Sequence, residues 1–378
     1  MQNNPSQFIL LVILFSLLQL NANEDNSWHL SSPNEKILVE IYHNIKGQEK
    51  GSLAYQVWFQ DEEKRVAIKS SKLGLVFEKN DFTNKLEFVN SSKVKKIVND
   101  YTLMVGKRLK NHATANEITL NFENIDKRKI NIIFRAYNDG IAFRYKFPKD
   151  NGDFVRFNKE LTEFSIPEQG KAWIQPYDSL AKWSPAYEYG YQNEIDIGTK
   201  PPKTTGWGFP ALFHTNDLWI LLTESALDGD YVGTHLAADC ENGKYKIEYP
   251  FQWENYGLWD RLPKAELPTQ TPWRTIILGD KLETIVESNL TNHLAEPCKL
   301  DDTSWIMPGK SSWNWWSDHS ASDDFLSLKE FVDFSAQMGW KYSLVDVGWH
   351  QMKGGNIQAL IKYAHSKNVG LFIWYNSG

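Results

Sequence analysis

Cysteine is nearly absent: Cys240 and Cys298 are the only two in 378 residues. A disulfide-framed fold and a thiolate metal cage are thereby excluded. The pair reads as two free thiols or a single bridge, and neither sits in a Cys/His setting that would activate it. No run of one charge sign occurs, and the balance of 41 basic and 47 acidic residues, a net charge of -6, argues against a nucleic-acid partner. The sequence has no P-loop, dinucleotide fingerprint or Gly-x-Ser-x-Gly elbow, and no His-x-x-x-His pair for zinc.

Long apolar runs are also lacking, with one exception, Phe8 to Leu20. That run is short for a bilayer span and sits where a secretory signal sits, although Lys and Arg are missing ahead of it; an N-terminal anchor is the alternative. Residues 1–23 are therefore read as a signal peptide. The mature protein is expected in the periplasm or medium, without stable membrane insertion.

What is abundant is aromatic residues, 14% of the chain with 16 Trp. Such side chains fill sandwich cores, and their flat faces also suit the C-H faces of sugar rings. From Trp28 to Thr291 short alternating segments follow one another, among them Leu53 to Phe59, Ile118 to Phe122, Ile130 to Tyr137 and Trp219 to Thr223. Asn138-Asp139-Gly140 lies between two of these runs as a hairpin turn. Many short strands with hardly a helical period predict a large β-sandwich over residues 24–296.

A connector over residues 297–310 precedes a change of pattern. Residues 311–378 read as strand, helix, strand, helix, strand: Trp313 to Trp316; a helix capped by Asp323 or Asp324, with Leu326, Phe331, Phe334 and Met338 at helical spacing and Gly339 closing it; Tyr342 to Asp346; a helix over Ile357 to Ala364; and Val369 to Tyr375. Such alternation predicts a parallel sheet, with lengths that suit a (β/α)8 barrel. Three strands cannot close a barrel, so the expectation is of a longer enzyme cut after about three strands.

Barrels of this kind carry their reactive groups at the C-terminal strand ends. Trp316, Asp346, Trp349, His350, Trp374 and Asn376 are accordingly expected to contact substrate, with Asp346 accepting sugar hydroxyls and the indoles packing on C-H faces. In the sandwich, Glu188 and Glu194 stand among aromatic residues where a hard cation such as Ca2+ could find oxygen ligands; a solvated loop is the competing reading. His214 and His235 read as ordinary packed or surface residues.

Several phrases taken together resemble glycoside hydrolase family 97: Leu53-Ala-Tyr-Gln-Val57 with Ser71-Lys-Leu-Gly-Leu75, Arg135 to Tyr145, Thr223-Glu-Ser-Ala-Leu227, Thr271-Pro-Trp-Arg274, Ser304 to Lys310, Trp313-Asn-Trp-Trp316, Gly339-Trp-Lys-Tyr342 and Val345-Asp-Val-Gly-Trp349. They occur in the family's order. The resemblance implies a galactose-mutarotase-like β-supersandwich, then a catalytic (β/α)8 barrel. It further implies an exported, calcium-dependent, exo-acting α-glucosidase or α-galactosidase, with an oligosaccharide or other α-glycoside as partner. The family's catalytic carboxylates lie on later barrel strands, so none is assigned here and the chain alone is expected to be inactive. A sandwich Glu reaches the family's calcium, and Glu188 resembles that position, with Glu194 the alternative. A carbohydrate-binding sandwich without hydrolysis, and a sugar epimerase, are the other readings; the strand-helix tail argues against the epimerase.

Overall fold

The computed structural model describes residues 27–44, 47, 49–149, 154–180, 187–254, 258 and 260–375. The expected signal peptide and Asn376 lie outside these residues, as do Trp183 to Ala186 of the loop that precedes Glu188.

Beside a three-stranded sheet of Lys264–Glu266, Phe154–Glu160 and Leu75–Phe77, residues 27–279 build two large antiparallel sheets. One has seven strands, in the order Ser27–Ser31, Ile37–His43, Leu53–Gln60, Lys64–Leu73, Glu163–Ser165, Lys244–Glu248, His235–Leu236. The other has eleven, with Trp273–Gly279, Gly140–Phe147, Lys129–Tyr137 and Lys110–Glu123 adjacent at its centre. Strict alternation selects the inward face: along Ile37–His43, Ile37, Val39, Ile41 and His43 are buried and the residues between them are partly exposed. Tyr55, Phe134, Phe143, Ile220, Leu222 and Ile276 join them in one continuous core.

The Asn138-Asp139 turn joins Lys129–Tyr137 to Gly140–Phe147, with Tyr137 opposite Gly140. Gly140 has φ +155, and a Cβ there would stand 2.3 Å from the Ile276 carbonyl oxygen. Only glycine fits so close to the neighbouring strand.

Two short helices, Leu282–Glu287 and Leu290–Leu294, cover the outer face of the larger sheet. Leu290 and Leu294 pack there on Trp273, Tyr137 and Ile133. The alternating pattern that identifies the strands hides them, because each helix is under two turns long and shows no full period.

The C-terminal unit is a three-stranded parallel sheet, Ser311–Trp313, Tyr342–Val345, Gly370–Ile373, with Tyr342–Val345 in the middle. Helices Phe325–Gln337 and Ile357–Ser366 connect the strands, and they start where Asp324 and Asn356 accept from the backbone N-H of Ser327 and Ala359. Leu328, Val332, Val345, Leu360, Ala364 and Val369 form a core separate from that of the sandwich.

The buried face of Phe325–Gln337 is Leu328, Val332 and Ser335, rather than the expected stripe, since Leu326 is 66% and Met338 51% exposed. The strands beneath the helix decide this. Ser335 Oγ donates to the Tyr342 carbonyl (2.8 Å) and lies 2.7 Å from Ser312 Oγ, which is 2.9 Å from Ser343 Oγ. Small hydroxyl side chains thus face each other where helix and sheet meet, and apolar spacing alone gave no sign of them. Cys240 is buried and Cys298 exposed, both as free thiols.

Candidate functional site

The parallel sheet places a set of aromatic and acidic residues at its C-terminal edge. Trp313 ends its strand, and the parallel register sets it opposite Leu344, two residues before Asp346. Its Nε1 donates to Asp346 Oδ2 at 2.6 Å, and Asp346 Oδ1 accepts from the Val347 backbone N-H at 2.6 Å. Both oxygens of this buried carboxylate are therefore fixed, with lone pairs left over for further donors. Sequence reasoning placed Asp346 at the site and missed Trp313 as its donor. The register of two parallel strands is the signal that reveals it.

The first strand ends at Trp313, three residues earlier than expected, so Trp316 lies in the following turn and is 84% exposed. Its ring centroid is 5.8 Å from that of Trp313. Beyond the middle strand, Gly348 (φ +93) turns the chain into Trp349–Gln351. Trp349 Nε1 donates to the Trp374 carbonyl at 3.1 Å, and the Trp349 ring meets Tyr375 at 5.4 Å and His350 at 5.7 Å. Trp316, Asp346, Trp349, His350 and Trp374 thus all occur at one edge of one sheet, together with Trp313 and Tyr375. Below them Asn314 is fully buried; its Nδ2 donates to Ser322 Oγ at 3.3 Å, and its Oδ1 has no hydrogen-bond partner among the described residues.

A second arrangement occupies the sandwich at residues 187–191. Tyr187 takes a left-handed backbone (φ +54), a conformation a bulky residue adopts only when its surroundings hold it there. The holding groups are visible. Its N-H donates to Asp178 Oδ2 (3.0 Å), its carbonyl accepts from Gln175 Nε2 (3.1 Å), and its hydroxyl donates to Glu254 Oε2. Tyr177 donates to the same oxygen at 2.9 Å, and Glu254 Oε1 accepts from the Phe251 N-H at 2.7 Å. Burial, followed by the bond to Glu254, pushes the Tyr187 hydroxyl well above the usual tyrosine range, so it remains a donor.

Glu188 follows directly and is exposed, as is Glu194 (φ +55) in strand Gln192–Asp196. Among the described residues no three or more His, Cys, Asp or Glu side chains gather as a metal-holding group. The carboxylates present do not by themselves make a calcium cage, which needs six to eight oxygens. His235 is fully buried, stacked on Tyr177 at 3.9 Å and 11°, whereas His214 is partly buried against Trp219 at 4.4 Å.

Residues 30–297 match the family description "Glycosyl-hydrolase 97 N-terminal". A curated relative, the "Probable retaining alpha-galactosidase" of Streptomyces bingchenggensis (strain BCW-1), is 28% identical over 380 residues, covering 97% of this chain and 55% of the relative. Among solved structures, a beta-arabinopyranosidase is 30% identical with TM-score 0.84, over 93% of this chain and 56% of the other. A glycoside hydrolase family 97 enzyme in complex with acarbose, from Pseudoalteromonas sp. strain K8, is 25% identical with TM-score 0.75, over 91% and 53%. The chain therefore spans about half the length of the relatives it matches. With a family match over more than half its residues and the two-sheet sandwich that carries it, the chain belongs to glycoside hydrolase family 97.

Proposed function

We propose that the protein is an exported glycosidase that removes terminal galacto-configured sugars, either α-D-galactosides or their β-L-arabinopyranoside counterparts. The observation that carries this is the pair of activities named for its relatives, α-galactosidase and β-arabinopyranosidase. A β-L-arabinopyranoside is an α-D-galactoside without the C5 hydroxymethyl group. The two share the axial O4 and the orientation of the anomeric bond, so one pocket can receive both. A glucoside carries O4 equatorially and offers its hydroxyl elsewhere.

In this reading the edge formed by Trp313, Asp346, Trp349, His350 and Trp374 is the first part of a (β/α)8 barrel mouth. Asp346, held by Trp313, accepts a hydroxyl proton of the sugar, and the exposed indole of Trp316 covers a C-H face. Hydrolysis through an oxocarbenium-like state needs a carboxyl that protonates the leaving oxygen, and a second that attacks or activates water. We assign neither to this chain; both are expected in the part of the family's length that it does not span. Glu188, or Glu194 in its place, would give one carboxylate ligand to a calcium ion completed by residues elsewhere.

The test is a substrate panel on the protein that contains this chain: nitrophenyl α-D-galactopyranoside, β-L-arabinopyranoside and α-D-glucopyranoside. Turnover of the first two above the third is expected. A preference for the glucoside would overturn the galacto assignment, and turnover by residues 1–378 alone would overturn the placement of the catalytic carboxylates.

A further inference from the structure

A cavity of about 390 Å³ is lined among others by Tyr177, Tyr187, Phe209, Glu224, Thr234 and Glu254. That volume is within the roughly 300–1,000 Å³ typical of small-molecule sites. Two carboxylates share it, and each is fixed by three bonds. Glu254 accepts from the Phe251 N-H and the hydroxyls of Tyr177 and Tyr187. Glu224 accepts from the Thr234 N-H (3.0 Å), the Thr234 hydroxyl (2.8 Å) and Arg274 Nη1 (2.5 Å).

A carboxylate offers about four acceptor positions, so each retains about one. The phenol oxygens of Tyr177 and Tyr187 can accept as well. The aromatic residues Tyr177, Tyr187 and Phe209 line the same cavity. No Lys or Arg is among the described lining residues, and Arg274 behind Glu224 is already engaged by Glu224 and Glu160, so a phosphate, sulfate or uronate would meet two carboxylates and no described cation in the lining. The complement is a neutral molecule with several hydroxyl donors and an apolar face.

We infer that this cavity is a binding pocket for a neutral pyranose unit, with Glu254 and Glu224 accepting its hydroxyls and Tyr187 in its wall. The described lining residues all belong to the sandwich, and none of them is at the edge of Asp346. The pocket assignment rests on the carbohydrate reading above, but not on hydrolysis or on which glycoside is cleaved.

Calorimetric titration of the purified chain with methyl α-D-galactopyranoside tests it, alongside Tyr187→Phe, Glu254→Gln and a titration with CaCl2 alone. Saturable sugar binding is expected, weakened at least about tenfold by Glu254→Gln and less by Tyr187→Phe. Tyr187 is half exposed, so its variant keeps the test valid if Glu254→Gln fails to fold. The inference is overturned if the chain takes up no sugar, if neither sandwich substitution weakens binding, or if only calcium binds. A sugar-binding chain whose full-length protein prefers glucosides would leave the pocket standing and remove the galacto assignment; the reverse result would do the opposite.

Discussion

Arg274 and Glu160 meet inside the sandwich as a two-pronged ion pair with no solvent exposure on either side chain: Nη2 to Oε2 is 2.5 Å and Nε to Oε1 2.9 Å. Tyr231 adds its hydroxyl to Glu160 at 3.0 Å, and Glu224 takes the remaining arm of the guanidinium. Burial alone would lower the Arg274 pKa, but Glu160 and then Tyr231 hold it well above the usual arginine range. Removing the cation leaves Glu160 charged in a dry core.

Arg274→Met is therefore expected to destabilise the sandwich by about 3–5 kcal/mol, read from urea denaturation. Arg274→Met with Glu160→Leu should lose less than the sum of the single variants, because the fully buried Glu160 carboxylate goes together with its cation and only Glu224 is left without one. An additive result would show that the pair is not the source of the loss.

Two buried histidines set a pH dependence. Burial lowers the pKa of His43, whose Nε2 lies 2.9 Å from the Leu86 carbonyl oxygen, and of His293, whose Nδ1 meets the Tyr101 hydroxyl at 2.7 Å. The unfolded chain then binds the extra protons first, near pH 6.5. Their contribution is complete above that value and is lost as pH falls through the lowered folded values. Thermal melting should drop between pH 7 and pH 5, and the drop should shrink in His43→Gln.

At the sheet edge, Trp313→Phe keeps the ring and deletes the donor to Asp346. Kinetics on the full-length protein should show kcat/KM reduced by about 10- to 100-fold, the worth of a bond to a charged acceptor, with little change in melting temperature. An unchanged kcat/KM would remove Asp346 from substrate contact.

Gly140→Ala tests the hairpin. A methyl group driven toward the Ile276 carbonyl oxygen from a backbone at φ +155 should cost about 1–3 kcal/mol, measured by chemical denaturation. A neutral substitution would mean that the two strands separate easily there.

The strands were legible because Ile37, Val39 and Ile41, like Phe134 and Phe143, face a single core, and burial on one side of a sheet writes a period of two into the sequence. The place of Asp346, Trp349 and Trp374 just beyond strand ends was legible for a related reason: a short apolar run ends and polar or aromatic residues follow it. The Tyr187–Glu254 and Arg274–Glu160 contacts were not, since their partners stand 67 and 114 residues apart and each residue alone is unremarkable. The helix face was misread because Ser335, a polar residue, is the one the strands require.

The separation of the six-residue apolar core around Leu328 and Val345 from the large sandwich core has a consequence for protection against exchange. Amides of Tyr342–Val345 report on the smaller core, those of Ile37–His43 on the larger. In deuterated buffer the chain should show two families of slow amides rather than one, the parallel unit giving up its hydrogens first.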